Sequence, residues 1–558
     1  MKKQEFVSIF AIAAAAVPGL LLSASIASAQ TPAPDGFPGS IPKAVCGPTD
    51  HTESGLQGET TLRERMSGDS ETAYNCNLEL VGEEPQETYQ GAYSQDGPAY
   101  YDVCAYYGND RPATGQGIKV IDASNPEHPV VSAQLTDTPA ALLPHETVHT
   151  NANTRILVAG QDGGENFAVY DISDCRHPVL KSSITLPGSD GHMGNFAPDG
   201  KTFYLSQNPC CSGLGGPLYV IDTSDPSHAQ MLQTINFAGN GRPHSLNVNP
   251  KGFAPGLAEG TRAYMNQGRS WPFLDAPDGL VIVDVSDYQS RLPAPQVTIT
   301  GTLFYPDQGT GESMIPVKIN GHPYIVSVDE AGAASGQGGW PVACQRQPAV
   351  GAFGYPQLID VADEKNPRIV SKIRMQVADP ANCESLRLET PPDAPGTAPG
   401  TNLPASSGTT NYSVEACVAD NPEDTKMIAC GAQNAGLRVF DVSDPIHPKE
   451  IAYWKSGAPR TSVLPASGSW RAGVDRTVDK IAHWPRWVVV NKGNGNDKAK
   501  QNGNGNGNGV GGGPGNSADI QLWTVSDGHG FQVLQFSKSF TAQHKDLFKN
   551  TVTTEQDR

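Results

Sequence analysis

One short phrase recurs along this chain and restricts its possible folds more than any other feature. It stands as GIKVIDASNPEHP from Gly117, FAVYDISDCRHP from Phe167, LYVIDTSDPSHA from Leu218, GLVIVDVSDYQS from Gly279, PQLIDVADEKNP from Pro356 and LRVFDVSDPIHP from Leu437. A degenerate copy, IQLWTVSDGHG, begins at Ile520. Each copy places apolar and β-branched residues before a turn of the Asp-x-Ser-Asp kind, and a second strand-like run follows, such as VVSAQL, VTITGTLF or EIAYW. Upstream of most copies lies a further hairpin, as in HETVHTNANTRILVAG from His145 and GHMGNFAPDGKTFYLSQ from Gly191. Each repeat therefore holds four strands, and no helical periodicity of any length separates them.

Four-stranded units recurring about every 50 to 80 residues describe a β-propeller. The expected fold class is all-β, with seven blades near 84–136, 145–187, 192–238, 244–305, 312–376, 411–455 and 478–540. Six or eight blades remain open. NCNLELVG at Asn75 reads as an outermost strand without a blade of its own, suited to closing the ring against the last blade. The chain resembles the LVIVD-repeat proteins, whose signature stands literally at Leu280 to Asp284. NCNLELVG and DVCAYYG at Asp102 also resemble the opening of exported members of that group. The resemblance runs from about residue 75 onwards. It implies a β-propeller, exported or at the cell surface, and it implies no reaction.

The first residues fit export. MKKQEF, an apolar run from Phe6 to Ile26 and Ala27-Ser28-Ala29 have the form of a secretory signal over 1–29. An N-terminal extension (30–74), the propeller (75–541) and a tail (542–558) then follow, with low-complexity insertions near 391–410 and 491–517. No other stretch has the roughly 18 apolar residues of a membrane helix. Ten cysteines in an exported chain predict disulfides. Cys417 and Cys430 flank a hairpin and suit a cross-strand bridge, Cys344 and Cys383 lie in loops that a bridge would tie, and Cys210-Cys211 form either a vicinal ring or two separate bonds. A net charge of -19 argues against nucleic acid or an anionic membrane as partner.

Propeller loops alternate between two faces. The inner hairpin turns and the Asp-x-Ser-Asp turns share one and are short; the connections entering the inner strands, and those joining second to third strands, share the other and are long. On the long-loop side, inner strands begin with His145, His192 and His244, and Glu312 holds the matching place one blade on. Rotation around one axis would gather them at the channel mouth as ligands for one transition metal ion, copper, iron or zinc. The competing reading is that each histidine bonds its neighbouring blade, repeat after repeat. For the sixth blade the matching position falls at Asn411, Tyr412 or Ser413. His149 is read as packing, and His128, His177 and His447, which precede prolines in outer turns, as structural. The repeat aspartates are read as turn caps rather than calcium ligands. Arg269 and Trp271, with Phe273, and the Cys210-Cys211 loop are candidates to line a substrate pocket; Tyr106, Trp340 and Tyr355 share the ambiguity of exposed against packed aromatics.

Two functions follow. One is a metal-dependent oxidoreductase acting on a small molecule, the other a non-catalytic propeller binding a protein or glycan with its loop face. Carotenoid-cleaving oxygenases and methanethiol oxidases are seven-bladed propellers with histidine-held metals, a likeness of fold alone.

Overall fold

The computed structural model describes residues 35–84, 98–108, 117–144, 146–207, 217–236, 243–267, 278–305, 307, 311–330, 353–388, 412–458, 478–482, 484–490 and 519–554. Seven antiparallel sheets succeed one another along the chain, over 99–135, 148–185, 194–235, 243–305, 311–372, 416–455 and 486–536. The fold is thus a seven-bladed β-propeller, and six and eight blades are excluded.

The repeat phrase forms the third strand of the first six blades. In the fourth blade, Asp278–Asp284 pairs with Arg262–Gln267 on one side and Thr298–Tyr305 on the other. Its unbroken apolar run follows from burial on both faces. Leu280 and Ile282 pack with Met314, Ile325 and Ile359 of the fifth blade. Val281 and Val283 pack with Tyr204, Leu218 and Val220 of the third. Each such side chain contributes about 1.5–3 kcal/mol when fully buried. A register shift between third and fourth strands recurs in all six of these blades, which bends the outer strand in the manner of a β-bulge.

After the repeat strand the aspartate caps its turn. Asp122, Asp171, Asp222 and Asp284 accept the backbone N–H of Ser124, Ser173, Ser224 and Ser286, each at 2.9 Å. Asp360 and Asp441 do the same with Ala362 and Ser443. Each also meets a cation, respectively Arg176, Lys181, Arg291, Arg262, Arg368 and Lys449. Turn capping and an ion pair account for these residues. The outer-turn histidines 177 and 447 bond Asp174 and Asp444 at 3.0 and 2.9 Å, closing the same turns.

The ring is closed by the N-terminal segment. Leu78–Glu84 pairs with Gly530–Phe536 as the outermost strand of the seventh blade. Tyr74–Cys76 adds a fifth strand to the sixth blade by pairing with Lys449–Lys455. Residues 478–482, where an innermost strand was expected, make one isolated bridge, Ile481 with Gln433.

Upstream of these strands the extension straps the rims of the fifth and sixth blades. Asp35 pairs with Lys372 at 2.6 Å and with Arg374, and those cations hold its carboxyl at about 2 against the opposing effect of burial. Glu53 pairs with Arg438 at 2.8 Å and Lys455 at 3.5 Å, all three deeply buried. Disulfides join Cys46 to Cys76, Cys104 to Cys175 and, as the hairpin suggested, Cys417 to Cys430. Cys383 is also disulfide-bonded; Cys344, Cys210 and Cys211 lie outside the described residues. Among the described residues no helix is long and apolar enough to cross a membrane.

Candidate metal centre

The candidate site forms at the long-loop mouth of the channel, where the chain enters successive inner strands. Glu146 and His192 each stand two residues before such a strand, Val148–Asn151 and Gly194–Phe196. His244 and Glu312 are the second residues of Pro243–Val248 and Gly311–Ile319. Glu415 immediately precedes Ala416–Ala419, and Glu330 immediately follows His322–Asp329, the second strand of the fifth blade. Five consecutive blades thus deliver a carboxylate or imidazole at nearly the same height.

Hydroxyl groups fasten the backbone that carries them. Thr147 Oγ1 donates to the carbonyls of Gly191 and His192, Ser206 Oγ to that of His244, and Ser245 Oγ to that of Glu312. Asn266 Oδ1 accepts from the N–H groups of His244 and Ser245, at 3.1 and 2.9 Å. The inner strands of blades two to five are therefore tied in series, which limits how far the site can relax.

The imidazoles meet at the axis. His192 Nε2 and His244 Nε2 are 2.8 Å apart, and Glu146 Oε2 lies 3.4 and 3.9 Å from them. The other nitrogen of each ring faces an acceptor. His244 Nδ1 is 2.9 Å from the Gly311 carbonyl and 3.1 Å from Glu312 Oε2, and His192 Nδ1 is 3.6 Å from Asp162 Oδ1. A carbonyl only accepts, so the His244 proton resides on Nδ1 and its Nε2 lone pair points to the axis. Metal-bound histidines are generally oriented in this way, by an acceptor on the far nitrogen. Two cis ligands at about 2.0–2.1 Å from one ion are about 2.9 Å apart, close to the separation here.

Around this pair, three groups of donor atoms lie within 4.8 Å of one another: Glu146, His192 and His244; His244, Glu312 and Glu330; and Glu146, Glu330 and Glu415. Glu146, Glu312 and Glu415 are buried, with Glu312 fully inaccessible, and Glu330 is half-buried. Lys480 Nζ stands 3.8 Å from Glu415. Two ionised carboxylates 4.8 Å apart repel by about 3.5 kcal/mol at an effective dielectric near 20, so the grouping of glutamates favours a bound cation.

Sequence-predicted residues divide accordingly. His192 meets His244, and His244 meets Glu312. His145 lies outside the described residues, and its neighbour Glu146 has a carboxylate oxygen 3.4 Å from His192 Nε2 and 3.9 Å from His244 Nε2. For the sixth blade, Tyr412 and Ser413 are set aside in favour of Glu415, because the inner strand starts at Ala416 and Tyr412 is occupied under the N-terminal strap, where its hydroxyl accepts from Thr60 N–H. His149 packs against Phe203 and Trp484. Tyr106 donates to the Cys175 carbonyl, and Tyr355 bonds Asp307, so both are packed. Arg269, Trp271, Phe273, Trp340, Cys210 and Cys211 lie outside the described residues. Glu330 and Asp162 were missed. Both follow second strands of their blades, a position that matching inner-strand starts does not sample.

The LVIVD repeat family model matches residues 429–454, which run through the second to fourth strands of the sixth blade. No curated protein matches the sequence. Among solved structures the chain is similar to a functionally unknown protein from Desulfotomaculum acetoxidans DSM 771, at 12% identity over 65% of this chain and 85% of that one, TM-score 0.38. It is similar also to a protein from Lactobacillus plantarum, at 11% identity over 67% and 87%, TM-score 0.39. A third is Sqt1 from Saccharomyces cerevisiae, at 8% identity over 81% and 99%, TM-score 0.42. The chain is accordingly a seven-bladed β-propeller that carries the LVIVD repeat.

Proposed function

We propose that the chain is an exported metal-dependent oxidoreductase whose transition metal ion is held by Glu146, His192 and His244 at the channel mouth. The observation carrying this reading is the approach of two Nε2 atoms to 2.8 Å with a glutamate oxygen beside them, the His244 ring being turned by an acceptor on its Nδ1. Two histidines and one carboxylate on one side of an ion leave positions open for water and substrate, a donor set suited to iron(II) and also found with zinc. When bound, the ion supplies Lewis-acid or one-electron chemistry. The chain's own residues orient and insulate. Glu312 and the Gly311 carbonyl fix the His244 tautomer, Asp162 faces His192, and burial of the donors lowers the local dielectric. Export is supported by the signal-like first residues and the disulfides.

Metal analysis by mass spectrometry, on full-length protein and on a His192→Ala/His244→Ala double variant, tests the reading. Near-stoichiometric iron, copper or zinc is expected in the wild type and at least tenfold less in the variant. Absence of metal from both, with unchanged thermal stability, would overturn it and leave a loop face that binds a protein or glycan.

A further inference from the structure

We infer that the channel mouth holds two metal ions, the second bound beside the first through Glu330. This rests on the metal reading above and extends it. The donor groups overlap in a specific way. Glu146 belongs both to the histidine-containing group with His192 and His244 and to the group with Glu330 and Glu415. Glu330 in turn belongs to that group and to the one with His244 and Glu312. A carboxylate has two oxygens, so a residue within 4.8 Å of donors on both sides is placed to bridge.

Among the described residues the donors are four glutamates and two histidines, the side-chain set used by carboxylate-bridged di-iron and di-manganese centres. Donor type also separates the two positions. The first ion takes both imidazoles, whereas the second is surrounded by glutamate oxygens with His244 at its margin, an environment suited to a hard divalent cation such as manganese or iron(II). Paired ions at about 3.5–4 Å can share a bridging oxygen donor, and Glu146 is the residue placed to supply it. Glu330, half-buried while its neighbours are buried, marks the side from which the second ion and water arrive.

The test is a count. Full-length protein stripped with a chelator is titrated anaerobically with manganese(II), and bound ions are measured by equilibrium dialysis and electron paramagnetic resonance. Two ions per chain are expected, with the six-line signal broadened or lost at full occupancy through coupling of the pair. Glu330→Gln and, separately, Glu415→Gln are expected to bind one ion per chain and to regain an isolated manganese signal. One ion in the wild type, unchanged by either substitution, would overturn the second site while leaving the histidine site standing. No ion in the wild type would overturn both.

Discussion

Replacing Arg438 with alanine is expected to destabilise the protein by about 3–5 kcal/mol and to release the N-terminal strap, the largest single-residue effect the structure predicts. Arg438 is fully buried between two glutamates from distant parts of the chain. Its guanidinium donates to Glu53 at 2.8 and 3.2 Å, to Glu450 at 2.9 Å and to the Ala435 carbonyl at 2.7 Å, and it stacks 4.4 Å from the Tyr453 ring. Removing it leaves Glu450 with the Ala44 N–H and Glu53 with the Gly58 N–H and Lys455, whose ammonium burial already pushes down to about 8. The cost is chiefly that of stranded charge, so replacing the whole group together, as Arg438→Met/Glu53→Leu/Glu450→Leu/Lys455→Met, is expected to recover most of the loss. Denaturant unfolding and limited proteolysis of the segment before Tyr74 check both parts. A loss below about 1 kcal/mol for Arg438→Ala would show that the strap is held by other contacts.

Asp420→Asn is expected to change how stability depends on pH. Asp420 ends the inner strand of the sixth blade, and its Oδ1 accepts N–H bonds from Lys426 and Met427, both at 3.0 Å. Those bonds favour the ionised form, but burial outweighs them and raises the carboxyl to about 7. Its ordinary value is near 3.8, so between these limits the unfolded chain has released the proton and the folded chain has kept it. The fold therefore has the full benefit of the neutral carboxyl below about pH 4 and loses it as pH rises to 7, by up to about 4 kcal/mol at 1.36 kcal/mol per unit. Asparagine keeps the acceptor and never ionises. The variant is expected to match the wild type at pH 4 and to exceed it by several kcal/mol at pH 8, compared by urea denaturation. A difference independent of pH would show that Asp420 ionises at its ordinary value.

The sequence disclosed the ring because the repeat strand is buried on both faces and its aspartate must cap a turn, two local requirements copied six times. It pointed to His192, His244 and Glu312 because equivalent positions in a rotationally repeated fold come close together, and the structure brings His192 to His244 and His244 to Glu312. For the second blade it pointed to His145, which lies outside the described residues; the neighbouring Glu146 faces His192 and His244. Glu146 and His192 share a register, each two residues before its strand, and only the strand starts reveal this. Glu415 escaped notice because the strand behind it is short and follows an insertion. The strap was silent for a different reason: Glu53 and Arg438 are 385 residues apart, and no periodicity links them.

The most direct measurement is the X-ray absorption spectrum of any metal that copurifies with the full-length protein. The predicted spectrum has a first shell of nitrogen and oxygen at about 2.0–2.1 Å, with the outer-shell pattern of two imidazoles. A sulfur shell near 2.3 Å, or a first shell without imidazole scattering, would contradict a centre built on His192 and His244.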